Sequence, residues 1–267
     1  MSLACGAYDR TEALRSGEVQ PRGIDLTYLS LPVEEVFYRM ARNHEFDAAE
    51  MSLSTYVMTL SQGRPPFVAI PIFPSRAFRH SGIYISAASP IEHPKDLVGK
   101  KVGVPEWQVT AAVWIRGILA EDYGVPVESV RYRTGGLHSP GREEKVPMTL
   151  PEGVDVAPIP VGRTLSEMLV TGELDAVYSP RTPEPFSAKR AEVRRLFEDF
   201  RDVEEGYFRR TGIFPIMHVI VIRRELYEQH RWVARELYQA FAQAKAMCET
   251  GLDETASLRY LLPWLQE

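Results

Sequence analysis

The chain has 267 residues, 45% of them hydrophobic, enough to build the cores of two small lobes. Its 31 Lys and Arg stand against 36 Asp and Glu, a net charge of -5, and no basic run with interleaved aromatics departs from that balance, which argues against a nucleic-acid partner. No apolar run reaches the eighteen residues or so that a membrane span needs, and Cys5 and Cys248 lack C-x-x-C metal spacing and read as buried free thiols in a reducing compartment.

Leu3-Ala-Cys-Gly6 reads as a strand, and the Met-Ser before it has neither a basic region nor an apolar signal core, so a cytoplasmic location is expected. Thr11 to Ser16 is a short helix and Ile24 to Leu29 alternates as a strand. Val33 to Arg42 puts Val33, Val36, Phe37 and Met40 on one helical face. Phe46 to Ser52 and Phe67 to Phe73 return as strands. The chain then runs through Arg76 to Ser81 into Ile83-Tyr-Ile85, where a crossing between lobes is expected. On this reading residues 1–86 and 197–267 form the first lobe and 87–196 the second.

In the second lobe Lys101 to Val104 is a short buried strand that Pro105 ends, and Ala111 to Leu119 repeats its apolar positions at helical spacing. A helix N-terminus therefore opens just past a strand end, where free N–H groups and the positive end of the helix dipole suit a carboxylate. A helix from Leu165 stops at Gly172, and Asp175 to Tyr178 returns as a strand that carries Tyr178, Ser179 and Arg181 toward the same edge. The intervening loop, Gly135 to Gly153, is rich in Gly, Pro and charge and reads as a lid; within it Gly135-Gly136 is a turn and Glu143-Glu144-Lys145 a solvated patch. Ile213 to Ile222 is a further strand, and Trp232 to Met247 a long amphipathic helix that packs on the first lobe. Strands alternate with helices, so the class is α/β with parallel or mixed sheets. No nucleotide loop, Gly-x-Ser-x-Gly elbow or His-Glu-x-x-His motif is present.

This order of elements, with Phe46-Asp-Ala, Asp96-Leu-Val-Gly-Lys-Lys-Val-Gly-Val104 and Gly172-Glu-Leu-Asp-Ala176, resembles the two-lobed type II periplasmic-binding-protein-like fold, in which a ligand cleft lies between lobes. Ala4-Cys-Gly-Ala-Tyr-Asp-Arg-Thr11, Glu50-Met-Ser-Leu-Ser54, Phe78-Arg-His-Ser81, Val104-Pro-Glu-Trp-Gln-Val-Thr110 and Trp114-Ile-Arg-Gly-Ile118 more specifically resemble the 4,5-dihydroxyphthalate decarboxylase family. The resemblance covers most of the chain, and it implies relatives that continue some tens of residues beyond the segment matching Leu262-Pro-Trp-Leu265.

The resemblance implies a carboxy-lyase acting on a hydroxylated aromatic dicarboxylate, and the residues suit that chemistry. Planar guanidinium groups match carboxylates bidentately, which makes Arg10, Arg79 and Arg181 the expected clamps, with Arg76 and Arg133 behind them. Trp107 and Tyr178 are expected to sandwich the ring, Trp114 to pack in the core, and Tyr8, Ser52, Gln108, Thr110 and His218 to complete the substrate contacts. Loss of carbon dioxide from an arene requires a proton at the departing carbon. His80 and Glu106 are the first candidates for delivering it, with Glu50 and Asp9 next. No organic cofactor is expected. A divalent metal stays open, with His80, His138 and His218 as its candidate ligands, although their spacing matches no recognised metal motif. A small aromatic acid is the expected partner, and a homo-oligomer stays open. The alternative class is a solute-binding protein that delivers a small anion to an ABC-type transporter, because both functions use the same scaffold.

Overall fold

Among the described residues eleven short strands build two sheets, each covered by helices whose apolar stripes face it. The computed structural model describes residues 1–61, 63–147 and 149–252. Contacts divide the chain into two units, one formed by Met1–Ser75 and the segment from Met217 onward, the other by Arg76–Ile216. Leu262 to Leu265 lie outside the described residues.

The first unit begins with β1 (Ser2–Cys5), α1 (Glu12–Arg15), β2 (Thr27–Ser30), α2 (Val33–Asn43), β3 (Ala48–Ser52), α3 (Leu53–Leu60) and β4 (Phe67–Ile70). The second unit contains β5 (Ile83–Ser86), β6 (Lys101–Val104), α4 (Thr110–Tyr123), β7 (Arg131–Thr134), β8 (Val156–Pro158), α5 (Leu165–Val170), β9 (Ala176–Tyr178), α6 (Glu184–Ser187), β10 (Val193–Arg195) and α7 (Phe200–Thr211). The chain then returns to the first unit with β11 (His218–Arg223), α8 (Arg224–Gln229) and α9 (Trp232–Leu252).

In the first unit the strand order is β2-β1-β3-β11-β4. β1 runs parallel to β2 and β3, while β11 lies antiparallel between β3 and β4. Val36, Phe37 and Met40 of α2 are buried as their spacing requires, and they join Ala49, Met51, Val219 and Val221 in one core. On the opposite face Val233, Leu237, Ala240, Phe241 and Ala244 of α9 pack with Leu3, Ile220 and Ile222.

In the second unit the order is β10-β5-β9-β6-β7-β8, with β5 antiparallel to both neighbours and β9, β6, β7 and β8 mutually parallel. Ala112, Ile115 and Leu119 of α4 cover this sheet together with Val102, Val104, Tyr132 and Tyr178. Thr164 starts α5 with a reciprocal cap, its side chain accepting the Glu167 N–H while the Glu167 carboxylate accepts the Thr164 N–H. The unit boundaries differ from the expected 86/87 and 196/197. β5 pairs on both edges inside the second sheet, and a bridge between Arg76 and Ile216 closes that unit at its ends.

Candidate active site

Strand alternation sets the first cluster of polar groups. All five residues of β3 are buried, and period-two alternation places Ala48, Glu50 and Ser52 on one face. In the antiparallel ladder His218 lies opposite Ser52, so Glu50 is its diagonal neighbour and within side-chain reach. The result is a carboxylate with no solvent exposure whose Oε1 lies 2.6 Å from His218 Nδ1 and accepts the Tyr8 hydroxyl at 2.6 Å. Its Oε2 accepts the Gly6 N–H at 2.9 Å and the Cys5 thiol at 3.3 Å. Gly6 is confined by its neighbours: a Cβ there would stand 2.8 Å from Val33 Cγ1 and 3.0 Å from the Tyr8 ring.

The electrostatics follow from this enclosure. Burial works to raise the Glu50 carboxyl, but hydrogen bonds from His218, Tyr8 and the Gly6 N–H, with the histidine's charge, outweigh it and hold the group below its ordinary range. Burial and then the Glu50 charge push the Tyr8 phenol and the Cys5 thiol well up, so both remain protonated donors. An ionised carboxylate can only accept, which makes His218 Nδ1 the donor and leaves Nε2 as the ring nitrogen that Glu50 does not engage. The Phe37 ring and the imidazole form a T-shaped pair with centroids 4.8 Å apart, and the histidine side chain keeps 18% exposure.

Other expected residues of the first unit are committed elsewhere. The Arg10 guanidinium lies 4.3 Å over the Tyr8 ring, donates from Nε to the Pro74 carbonyl at 2.8 Å and pairs with Asp9 at 3.0 Å. Asp9 is exposed and bonded to Arg10, which leaves it outside the Glu50 cluster. Ser52 is buried just before α3, 3.2 Å from the Ser54 hydroxyl.

A second cluster surrounds the turn between β6 and α4. Glu106 is buried and ion-paired with both Lys145 and Arg142, the latter through Nε at 2.7 Å and Nη2 at 2.6 Å. The Glu144 carboxylate accepts the Trp107 N–H and, at 3.5 Å, the Gln108 N–H. The expected solvated patch at Glu143-Glu144-Lys145 is thus corrected. Lys145 is 5% exposed because Glu106 compensates its charge, and Glu144 turns inward to satisfy backbone donors. Burial lowers the Lys145 ammonium against the pull of Glu106, and it raises the Glu144 carboxyl with help from Glu106. The loop that carries them turns tightly at Gly136, where a Cβ would lie 1.7 Å from the Ser139 carbonyl oxygen.

Three further expectations change here. Tyr178 has no exposed surface; it packs against Tyr132 in the core, so its ring has no open face with which to sandwich a ligand. One face of Trp107 is covered by the Arg116 guanidinium at 3.7 Å. His80 is enclosed by Phe197, Tyr207 and Tyr123, its Nδ1 has no hydrogen-bond partner among the described residues, and burial lowers its basicity against Glu204 and Asp122. Because Tyr123 ends α4 and Glu106 precedes it, His80 and Glu106 sit at opposite ends of a helix about 21 Å long and do not converge.

Arg79 is mostly enclosed, with burial lowering its basicity against the opposing charge of Glu204, and Arg181 is exposed. Thr110 opens α4 and is buried. Trp114 is partly buried and donates from its indole nitrogen to the Ile216 carbonyl at 3.0 Å. His138 Nδ1 lies 3.3 Å from the Ser166 hydroxyl. Among the described residues no group of three or more His, Cys, Asp or Glu side chains has metal-holding geometry, and no helix is long and apolar enough to cross a membrane.

No family model matches the chain. A 4,5-dihydroxyphthalate decarboxylase of Comamonas testosteroni is 42% identical over 267 residues, covering 100% of this chain and 81% of the relative. The chain belongs to the 4,5-dihydroxyphthalate decarboxylase family. A second member, from Pseudomonas putida, is 43% identical over 209 residues, 78% of this chain and 81% of its own. The family shares its fold with solute-binding proteins. The periplasmic aliphatic sulphonate binding protein SsuA from Escherichia coli superposes with a TM-score of 0.55 at 11% identity, covering 94% of this chain and 74% of that one. The alkanesulfonate-binding protein SsuA from Xanthomonas axonopodis pv. citri gives 0.56 at 10% identity over 94% and 74%. At such identities the likeness concerns the type II periplasmic-binding-protein-like fold alone.

Sequence reasoning overlooked Cys5, Arg116, Arg142, Glu144 and Lys145 as members of these clusters. Cys5 and Arg116 stand inside the segments that carry the family likeness, Ala4 to Thr11 and Trp114 to Ile118, and that position was the available signal.

Proposed function

We propose that this member of the family is a decarboxylase acting on a hydroxylated aromatic dicarboxylate such as 4,5-dihydroxyphthalate, with His218 as the acid that protonates the ring. The observation that carries this reading is the buried Glu50 carboxylate on His218 Nδ1. It holds Nδ1–H and the ring orientation and supports the charge of the imidazolium, whose second proton, on Nε2, is the one offered to substrate.

The step balances simply. The hydroxyl para to the departing carboxylate pushes electron density to the carbon that bears it, and His218, protonated at both ring nitrogens with Nδ1–H held by Glu50, gives that carbon the proton on Nε2 and is left as the neutral Nδ1–H tautomer. The bond to the carboxylate then breaks, its electron pair restores the aromatic ring, and carbon dioxide leaves. One proton is consumed in each turnover, and His218 regains it from water. Glu50 acts through His218 and is a positioning residue, while Tyr8, Cys5 and the Gly6 N–H hold Glu50. His80 and Glu106 take structural roles on this reading.

The test is incubation of the purified protein with 4,5-dihydroxyphthalate, following carbon dioxide and the appearance of 3,4-dihydroxybenzoate by chromatography. Stoichiometric formation of both supports the proposal. Binding of the dicarboxylate with no carbon dioxide release would make the chain a solute-binding protein.

A further inference from the structure

The turn before α4 offers backbone donors to an anion, and in this chain a side chain of its own takes them. Glu144 reaches from the loop after β7 to the N–H groups of Trp107 and Gln108, ahead of a helix of fourteen residues. Beside them stands Arg116, 7% exposed, with its guanidinium stacked on Trp107 at 3.7 Å. Arg116 Nη2 donates to the Trp107 carbonyl at 2.8 Å, while Nη1 is buried with no hydrogen-bond partner among the described residues. A buried guanidinium with an unused N–H is costly to maintain unless an acceptor arrives. Glu144 is the acidic residue whose charge acts on it.

We propose that Glu144 is an internal stand-in for a ligand carboxylate, and that an aromatic carboxylate displaces it to bind the Trp107 and Gln108 N–H groups together with Arg116 Nη1. Two observations favour exchange. Glu144 faces the like charge of Glu106 across Lys145, and burial opposes its ionised form. Burial also pushes the Arg116 guanidinium down to about 10, and a carboxylate accepting from Nη1 would relieve that penalty. The flanking Arg142 and Lys145 remain tied to Glu106, so the exchange requires movement of the Glu144 side chain and not of the whole loop.

The proposal rests on the decarboxylase reading only for its choice of probe. Phthalate lacks the ring hydroxyls that drive loss of carbon dioxide, so its binding is readable whether or not the protein turns over a substrate. Calorimetric titration of the full chain with phthalate should show E144Q binding on the order of tenfold more tightly than the unmodified protein, with R116K on the order of tenfold weaker. Glu144→Asp keeps the charge but shortens the reach, and it should also bind more tightly; it serves if E144Q is poorly folded by circular dichroism. Unchanged or weaker phthalate binding in a folded Glu144 variant overturns the proposal.

Discussion

His218 and Glu50 face each other across the β3–β11 ladder one diagonal step apart, with Nδ1 2.6 Å from the carboxylate. The contact spans 168 positions of sequence, and strand register alone creates it. Both oxygens of Glu50 are satisfied, by four donors from Cys5, Gly6, Tyr8 and His218, so the imidazole is held by a carboxylate that cannot itself swing.

Cys5 should act as a positioning residue through Glu50 Oε2. Cys5→Ala removes one donor and should lower kcat by about 2- to 10-fold, the worth of one hydrogen bond, with KM little changed. Cys5→Ser supplies a stronger donor and should restore the rate. A serine variant as slow as the alanine variant would show that packing, and not the hydrogen bond, is what matters there.

The pairing of Lys145 with Glu106 should be structural. Lys145→Met leaves a buried carboxylate with only Arg142 beside it and should destabilise the protein by about 3 kcal/mol in urea unfolding. Adding Glu106→Gln should recover most of that loss, because the uncompensated charge goes with it. Additive losses in the double variant would contradict the assignment.

His80 should make the protein acid-sensitive. Burial depresses its folded basicity below the ordinary histidine value of about 6.5. Between those two values the unfolded chain binds the proton and the folded chain does not. The contribution is therefore intact above pH ~6.5 and is lost as the pH falls through the lowered folded value. His80→Met should flatten the stability profile between pH 7 and pH 5, measured by urea unfolding at each pH. A profile with the original slope would mean that another group carries the acid sensitivity.

The sequence revealed the strands and the amphipathic helices of the first unit because their periods are local properties. Val33 to Arg42 predicts α2 to within a residue, and Lys101 to Val104 matches β6. α7 was not legible, since Tyr207 is the one residue of that helix that is buried and no apolar stripe marks it. Glu50 and His218 were both readable as site candidates, but their contact depends on antiparallel register between distant strands. The inward turn of Glu144 and Lys145 was hidden for a related reason. A Glu-Glu-Lys run looks solvated until its partner, Glu106, 39 positions earlier, is brought beside it by the sheet.

On the proposed mechanism His218 Nε2 delivers the proton to the ring. The most direct measurement is single-turnover carbon dioxide release from 4,5-dihydroxyphthalate by His218→Asn, which keeps a donor toward Glu50 and removes Nε2, with substrate affinity measured separately by calorimetry. Affinity should be nearly unchanged and the rate lower by ~10²–10⁴-fold, the usual contribution of a positioned acid. A His218→Asn protein that binds and releases carbon dioxide at the rate of the unmodified chain would contradict that mechanism.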